Sequence, residues 1–324
     1  MQCFPWLCLA LLLFAPRAKA EAPEAWQLQV IATASELKDE PEREVERHFF
    51  WSNERRHDLF FPMLSARAGK GGHVGVGGDQ NYTLAAAAEA KAMWLLDIDA
   101  DVVRMHRLYA ALLPMADTPE VFLQLLEAAD QSKTVRQQVV TAYGATEGAK
   151  VFDLYQNHRQ RLAKHLRKTA KLEKQGLPTT WMGNQKFYKH IQGLAKNGLI
   201  IARIGNLYGP RTLMGIGHAA EKSGVKITTV YFSNAEAWFQ YNPVFRRNIA
   251  TLPFDEQSVI LRTIEAKTLV HPTDDFWHFC VQGATDFVTK IEKPSYRSTD
   301  RLMREAKAPT PPVQGLSYIG LPSH

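Results

Sequence analysis

The stretch Gly71–Asp99, GGHVGVGGDQNYTLAAAAEAKAMWLLDID, limits what this chain can fold into more than any other. A short apolar run, His73 to Gly77, enters a glycine turn, where the backbone can take positive φ and a ligand can approach closely. Asp79 is placed to cap the helix that follows, and Leu84 to Ala92 is strongly helix-forming. Met93 to Leu96 is a continuous apolar run, the pattern of a strand buried on both faces, and it ends at Asp97-Ile98-Asp99. Strand, turn, helix and strand in this order make half of a nucleotide-binding unit.

The alternation continues downstream. Ala100 to Leu113 reads as a helix, Pro114 to Gly176 as almost wholly helical, and Gln185 to Lys196 as a further helix. The apolar runs Gly198–Ile204, Val225–Phe232 and Gln257–Ile264 read as strands, separated by helices over Thr212–Ser223 and Asn234–Ala250, the latter broken at Pro243. Asp275 to Thr289 is expected to add a final strand or hairpin, and the Pro-rich tail from Ala308 to be loosely ordered. Upstream, Glu21–Ala34 lacks periodicity. From Ser35 to Pro62 one or two helices are expected, with Trp51, Ser52, Asn53 and Glu54 either a helix-helix turn or a cover over a pocket. The fold class is α/β, a doubly wound, mostly parallel Rossmann-like (methyltransferase-like) sheet with a helical insertion at 118–176. The divisions are a signal peptide at 1–20, a helical lead-in at 21–70, the α/β domain at 71–290 and a tail at 291–324.

The first twenty residues, MQCFPWLCLALLLFAPRAKA, are an apolar run ending in Ala18-Lys19-Ala20, which reads as a cleaved secretory signal with a retained N-terminal anchor as the alternative. Cleavage makes the protein secreted or periplasmic, without stable membrane insertion. It removes Cys3 and Cys8, leaving Cys280 without a disulfide partner. It also removes two positive charges, Arg17 and Lys19, so the formal charge of +6 falls to +4. The remaining excess is concentrated in HRQRLAKHLRKTAKLEK, His158 to Lys174. No aromatic residues interleave those charges, so nucleic acid is not expected as a partner.

Ligands in such sheets bind beyond the carboxyl ends of the strands. The candidates there are Gly75, Gly77, Asp79, Gln80 and Asn81 after the first strand, and Asp97 and Asp99 after the second. Asn206 and Tyr208 follow the third, and Ser233, Asn234 and Glu236 the fourth. Asp97 lies at the distance from Gly77 at which an acidic residue accepts hydrogen bonds from ribose hydroxyls. Gln80 stands where the dinucleotide pattern needs its third glycine, and Asp79 puts a carboxylate where a phosphate would sit. A ligand with a ribose and a cationic end, such as S-adenosylmethionine, suits the arrangement better than a dinucleotide. The methyltransferase pattern keeps Gly75 and Gly77, with His73 in its acidic place.

GVGGDQNYTL, WLLDID followed by HRLYAALL, and later VYFSNAEAWF, RRNI and LPFDEQSVILRT resemble a family of uncharacterised bacterial proteins with a methyltransferase-like Rossmann fold. The resemblance covers Ser35 to Lys290 and implies a fold and a pocket, with no catalytic residue to carry over. His106 reads as a packing histidine, with a pocket-facing role as the alternative, and Arg246, Arg247 and Arg262 as partners for carboxylates, with an anionic substrate as the alternative. His271, His278, Asp274 and Asp275 match no standard metal spacing. Ser233 lacks the elbow of a hydrolase nucleophile. Two functions follow. One is an exported binder of a nucleoside-like or small polar ligand, acting in S-adenosylmethionine-dependent group transfer. The other is a non-catalytic envelope scaffold whose basic insertion engages a partner.

Overall fold

A computed structural model describes residues 22–265 and 269–321. The expected signal at 1–20 lies outside the described residues. The chain opens with α1 (Ala25–Glu36), started by a reciprocal Glu24–Gln27 capping box. A short 3-10 turn (His57–Phe60) leads into α2 (Phe61–Ser65), β1 (Gly72–Val76), α3 (Gln80–Ala87), β2 (Met93–Asp97) and α4 (Ala100–Leu112). The helical insertion comprises α5 (Pro119–Glu127) and the long α6 (Ser132–Thr169), followed by a small hairpin of β3 (Glu173–Lys174) and β4 (Leu177–Pro178). Then come α7 (Gln185–Lys196), β5 (Ile200–Ile204), α8 (Thr212–Lys222), β6 (Ile227–Ser233), α9 (Pro243–Ala250) and β7 (Val259–Glu265). The last elements are β8 (Trp277–Gly283), α10 (Ala284–Glu292), α11 (Thr299–Met303) and β9 (Leu316–Ile319).

Seven strands form one sheet in the order β5-β2-β1-β6-β7-β8-β9. The first five are parallel, β8 runs antiparallel to β7, and β9 is parallel to β8. The parallel strands therefore depart in opposite directions from the β1/β6 pair, and that divergence opens a crevice at their carboxyl ends. Helices flank the sheet in two groups. In one α3 packs with α7 and α4 with α6; in the other α8 packs with α1 and α9, and α9 with α10. Trp94, fully buried on β2, fills the space above Gly72, where a β-carbon would lie 2.5 Å from the indole. Among the described residues, no helix is long and apolar enough to cross a membrane.

Two expectations fail. Glu21–Ala34, read as aperiodic, is mostly α1, whereas 37–56, read as helical, is an irregular strap with no helix in it. Its polar groups satisfy distant backbone instead. Glu40 N–H donates to the Ile204 carbonyl at 2.8 Å, Ile204 N–H to Asp39 at 2.8 Å, and Arg211 N–H to Glu40 at 2.8 Å. The second concerns the tail, which contributes β9 by pairing with the free edge of β8 and closing over Phe279 and Val281. The range Asp275–Thr289 resolves into β8 and the start of α10.

Candidate functional site

A cavity of about 780 Å³ lies in the crevice, bounded by the loops after β1, β2, β5 and β6 and roofed by the strap and by α6. The loop after β1 is built from inside. Gly77 takes φ +85, which an L side chain rarely adopts, and its carbonyl accepts the His106 Nε2–H at 2.8 Å. The Asn81 amide donates to the carbonyls of Val76 at 2.9 Å and Gly78 at 3.0 Å. His73 Nε2–H in turn donates to Asn81 Oδ1 at 3.1 Å, while its Nδ1 accepts from Thr229 at 2.8 Å. Burial pushes both His73 and His106 down to about 4, so these rings are neutral props of the turn.

Those props displace two expected ligand contacts. A β-carbon at Gly75 would lie 1.9 Å from Asn81 Oδ1, so this glycine makes room for the Asn81 carboxamide, and neither residue lines the cavity. Asp79 does not cap α3. It turns to His165 on α6, with Nε2 at 3.1 and 3.2 Å from its two oxygens. Burial alone would raise the Asp79 carboxyl; the His165 ring holds it below the usual range.

Asp97 is half-buried at the end of β2 and faces the cavity. Burial and the neighbouring Asp99 charge push it up to about 7, against the hydrogen bonds it accepts from the loop backbone, including Asp99 N–H at 2.9 Å. Asp99 also lines the cavity, capping α4 through Asp101 N–H and accepting from His48 Nδ1 at 2.9 Å. Between them Ile98 is 47% exposed, an apolar side chain presented to the cavity. Asn206 and Tyr208 line the β5 side, with Asn206 accepting the Tyr208 amide at 3.2 Å.

Across the switch point, Ser233 ends β6 at φ +52, outside the ordinary range for a serine, and lines the cavity with Asn234. The strap explains its position. Glu54, buried at the cavity wall, accepts hydroxyl protons from Ser233 at 2.9 Å, from Tyr231 at 2.8 Å, and from Ser52 and Thr263. His57 Nε2 stands 3.3 Å from the same carboxylate. Burial would raise this carboxyl, yet the His57 contact and the hydroxyl donors outweigh it and hold it down at about 2. Glu236, expected at the site, points into the protein instead, paired with Arg262 at 2.6 Å and with the Tyr241 hydroxyl at 2.6 Å.

Eight sequence candidates thus meet on one cavity: Gly77, Gln80, Asp97, Asp99, Asn206, Tyr208, Ser233 and Asn234. Gly75, Asp79, Asn81 and Glu236 do not. Ser52 and Glu54, expected from the sequence either in a helix-helix turn or in a cover over a pocket, line it, as do His165 and Lys168, for which the sequence suggested no site role. The signal available was the polar-aromatic cluster Trp51–Glu54 between two apolar groups. Trp51 stacks on His165 with ring centroids 4.7 Å apart and planes 11° from parallel, fastening the strap to α6. The basic face of α6 is partly spent internally, since Arg167 binds Glu127 and Arg159 binds backbone carbonyls at its foot. Asp274 pairs with Arg56 at 3.0 Å and Asp275 accepts the Arg56 amide at 3.2 Å, while His278 binds Ser317 at 2.9 Å. Among the described residues no group of three His, Cys, Asp or Glu side chains could hold a metal ion.

A search of the curated proteins finds no match. The chain belongs to the family described as a domain of unknown function (DUF7790), matched over residues 49–320, a span that takes in the strap around Glu54 and the strand β9.

Proposed function

We propose that this member of the DUF7790 family binds a nucleoside-like ligand at the switch point, and that S-adenosylmethionine is the ligand class, for use in group transfer after the manner of methyltransferase-like Rossmann proteins. The observation that carries the reading is the Asp97 carboxyl at the end of β2, facing the cavity beside the Gly77 turn. In a Rossmann-like sheet this is where ribose hydroxyls find their acceptor. Ile98, next along and exposed to the same space, offers an apolar face for a base. A volume of about 780 Å³ accommodates a ligand of that size.

Two features favour this class over a dinucleotide. A β-carbon at Gly78 would meet the Phe50 carbonyl at 2.2 Å, so the strap already occupies the close approach to the glycine turn that a pyrophosphate needs. Asp79 stands at the N-cap position of α3, and its carboxylate, paired with His165, brings negative charge close to the helix end where a phosphate would be stabilised. A sulfonium instead finds carboxylates nearby in Asp97, Asp99 and Glu54. The reading assigns binding residues and leaves the group-transfer chemistry to the ligand.

Calorimetric titration with S-adenosylmethionine and S-adenosylhomocysteine tests it. Saturable heat that Asp97→Ala abolishes is the expected result. No heat with either compound removes the cofactor claim.

A further inference from the structure

The strap has two faces. Every second residue along it, Val45, Arg47, Phe49, Trp51, Asn53 and Arg55, borders the main cavity, the period of an extended chain. Of the residues between them, His48 turns to Asp99 at 2.9 Å and Phe50 is buried. Ser52 and Glu54 also reach the cavity, with their side-chain oxygens engaged with each other and with β6. The cavity face thus alternates cations with aromatic rings. Arg47 lies over Phe49, 5.0 Å from the ring centroid, and Arg161 of α6 lies 5.8 Å from the ring of Trp51. The basic stretch of α6 has no aromatic residues within it, and the fold supplies them from the strap.

Charge in the cavity is divided in the same way. On the roof, the side chains of Arg47, Arg55 and Lys168 are exposed, and among the described residues none of them is ion-paired. The carboxylates that border the cavity are already engaged. Glu54 accepts from Tyr231 and Ser233, Asp99 from His48 and the Asp101 amide, and Asp97, on the floor, from the Asp99 amide. Three cations without counter-charge around one cavity raise the local concentration of anions. The same rim carries large rings turned outward: Phe49 is 64% exposed, Trp238 after β6 82% and Tyr208 after β5 37%. Such rings offer faces for stacking. The cavity, about 780 Å³, lies in the upper part of the range of small-ligand sites, roughly 300–1,000 Å³, and leaves room beside a nucleoside.

We propose that the roof half of the cavity, between the strap and the loops after β5 and β6, binds an aromatic anion, a flat ring bearing a carboxylate or a phosphate, as the second ligand of the site. The proposal rests on the nucleoside reading only for what fills the floor, since it uses neither Asp97 nor the glycine turn.

The full chain is titrated calorimetrically at low ionic strength with 2-naphthoate, 2-naphthyl phosphate and the uncharged 2-naphthalenemethanol. Both anions are expected to bind about tenfold more tightly than the alcohol, and the tighter of the two identifies the anionic group. The double variant Arg55→Gln, Lys168→Gln alters two exposed side chains and should keep the wild-type melting temperature. It should weaken the anions about tenfold, up to about fivefold for each lost exposed pair, and leave the alcohol unchanged. Trp238→Ala should weaken all three by about tenfold through the lost stacking face. Absence of binding by both anions, equal affinity for anions and alcohol, or undiminished naphthoate binding in the double variant overturns the proposal. A repeat in saturating S-adenosylhomocysteine separates the two halves. Naphthoate binding that persists supports a distinct roof site, and competitive loss overturns it. Naphthoate binding to a protein that gives no heat with S-adenosylmethionine or S-adenosylhomocysteine leaves the roof site standing and removes the nucleoside reading.

Discussion

The Tyr231 hydroxyl on β6 donates to the Glu54 carboxylate of the strap at 2.8 Å. This bond, with those from Ser233 and Thr263, ties a segment that precedes the sheet to the strands that make its switch point. Replacing one carboxylate oxygen by an NH2 group turns a pair of the buried hydroxyls against a donor and removes the charge opposite His57. Glu54→Gln should therefore cost about 3–5 kcal/mol, the range for breaking a buried charged network by deleting one member. Urea denaturation measures it, and a loss below about 0.5 kcal/mol would place the network among ordinary surface contacts. Because folding lowers this carboxyl from 4.5 to about 2, its stabilisation is complete above pH 4.5 and disappears as pH falls toward 2.

His73 and His106 act at milder acidity. Both are neutral in the folded protein, down at about 4 from an ordinary 6.5, so the unfolded chain binds more protons between those values. Their contribution is complete above pH 6.5 and is lost as pH falls to 4, with a slope of up to about 1.4 kcal/mol per pH unit for each ring. Denaturation midpoints at pH 7, 5.5 and 4.5 should fall steadily, and hydrogen exchange should show the Gly77 turn opening first. Midpoints independent of pH over this range would contradict the neutral assignment.

Asp97 works in the opposite direction. Its folded value of about 7 lies above the ordinary 3.8, so the folded protein binds the extra proton and stability from this group falls as pH rises from about 4 to 7. Asp97→Asn should raise stability at pH 8 and steepen the acid loss caused by the two histidines. Ligand affinity follows the ionised fraction, because ribose hydroxyls donate to a carboxylate. S-adenosylhomocysteine should bind about tenfold more weakly at pH 6 than at pH 8. Calorimetry at the two pH values decides it, and an affinity that is the same at both, and the same again in Asp97→Asn, would detach Asp97 from the ribose.

The parts legible in the sequence are those set by local pattern. The apolar run MWLLD gives β2 and places Asp97, and the amphipathic repeat of QKFYKHIQGLAK gives α7 with the bounds expected. The strap is different. Glu40, Asp39 and Glu54 are residues that favour a helix or solvent when read locally, and their structure is decided by Ile204, Arg107 and Tyr231, each far along the chain. For the same reason Asn81 and Asp79, adjacent to the glycine turn in sequence, look locally like ligand contacts. Their partners, His73 and His165, turn them away from the cavity. Tail strand β9 is similarly non-local, since it joins the sheet through the edge of β8.

If the strap covers the glycine turn, Gly78 should be the residue that senses it. Gly78 lies outside the left-handed region that Gly77 occupies, so alanine there brings no backbone strain. Its β-carbon would nonetheless sit 2.2 Å from the Phe50 carbonyl and 2.9 Å from the Trp51 backbone. The strap must move, at a cost of about 1–3 kcal/mol. Trp51 would then leave its stack on His165, and its fluorescence should shift on substitution while the sheet stays intact by circular dichroism. Gly193→Ala is the control. It lies within α7 with nothing within 4 Å of the new β-carbon, and it should stabilise the protein by about 0.5–1 kcal/mol through helix preference alone. Opposite signs for these two substitutions, with the tryptophan signal moving only in Gly78→Ala, are the expected outcome. A Gly78→Ala protein as stable as wild type, with unchanged fluorescence, would mean that the strap does not rest on the turn in solution.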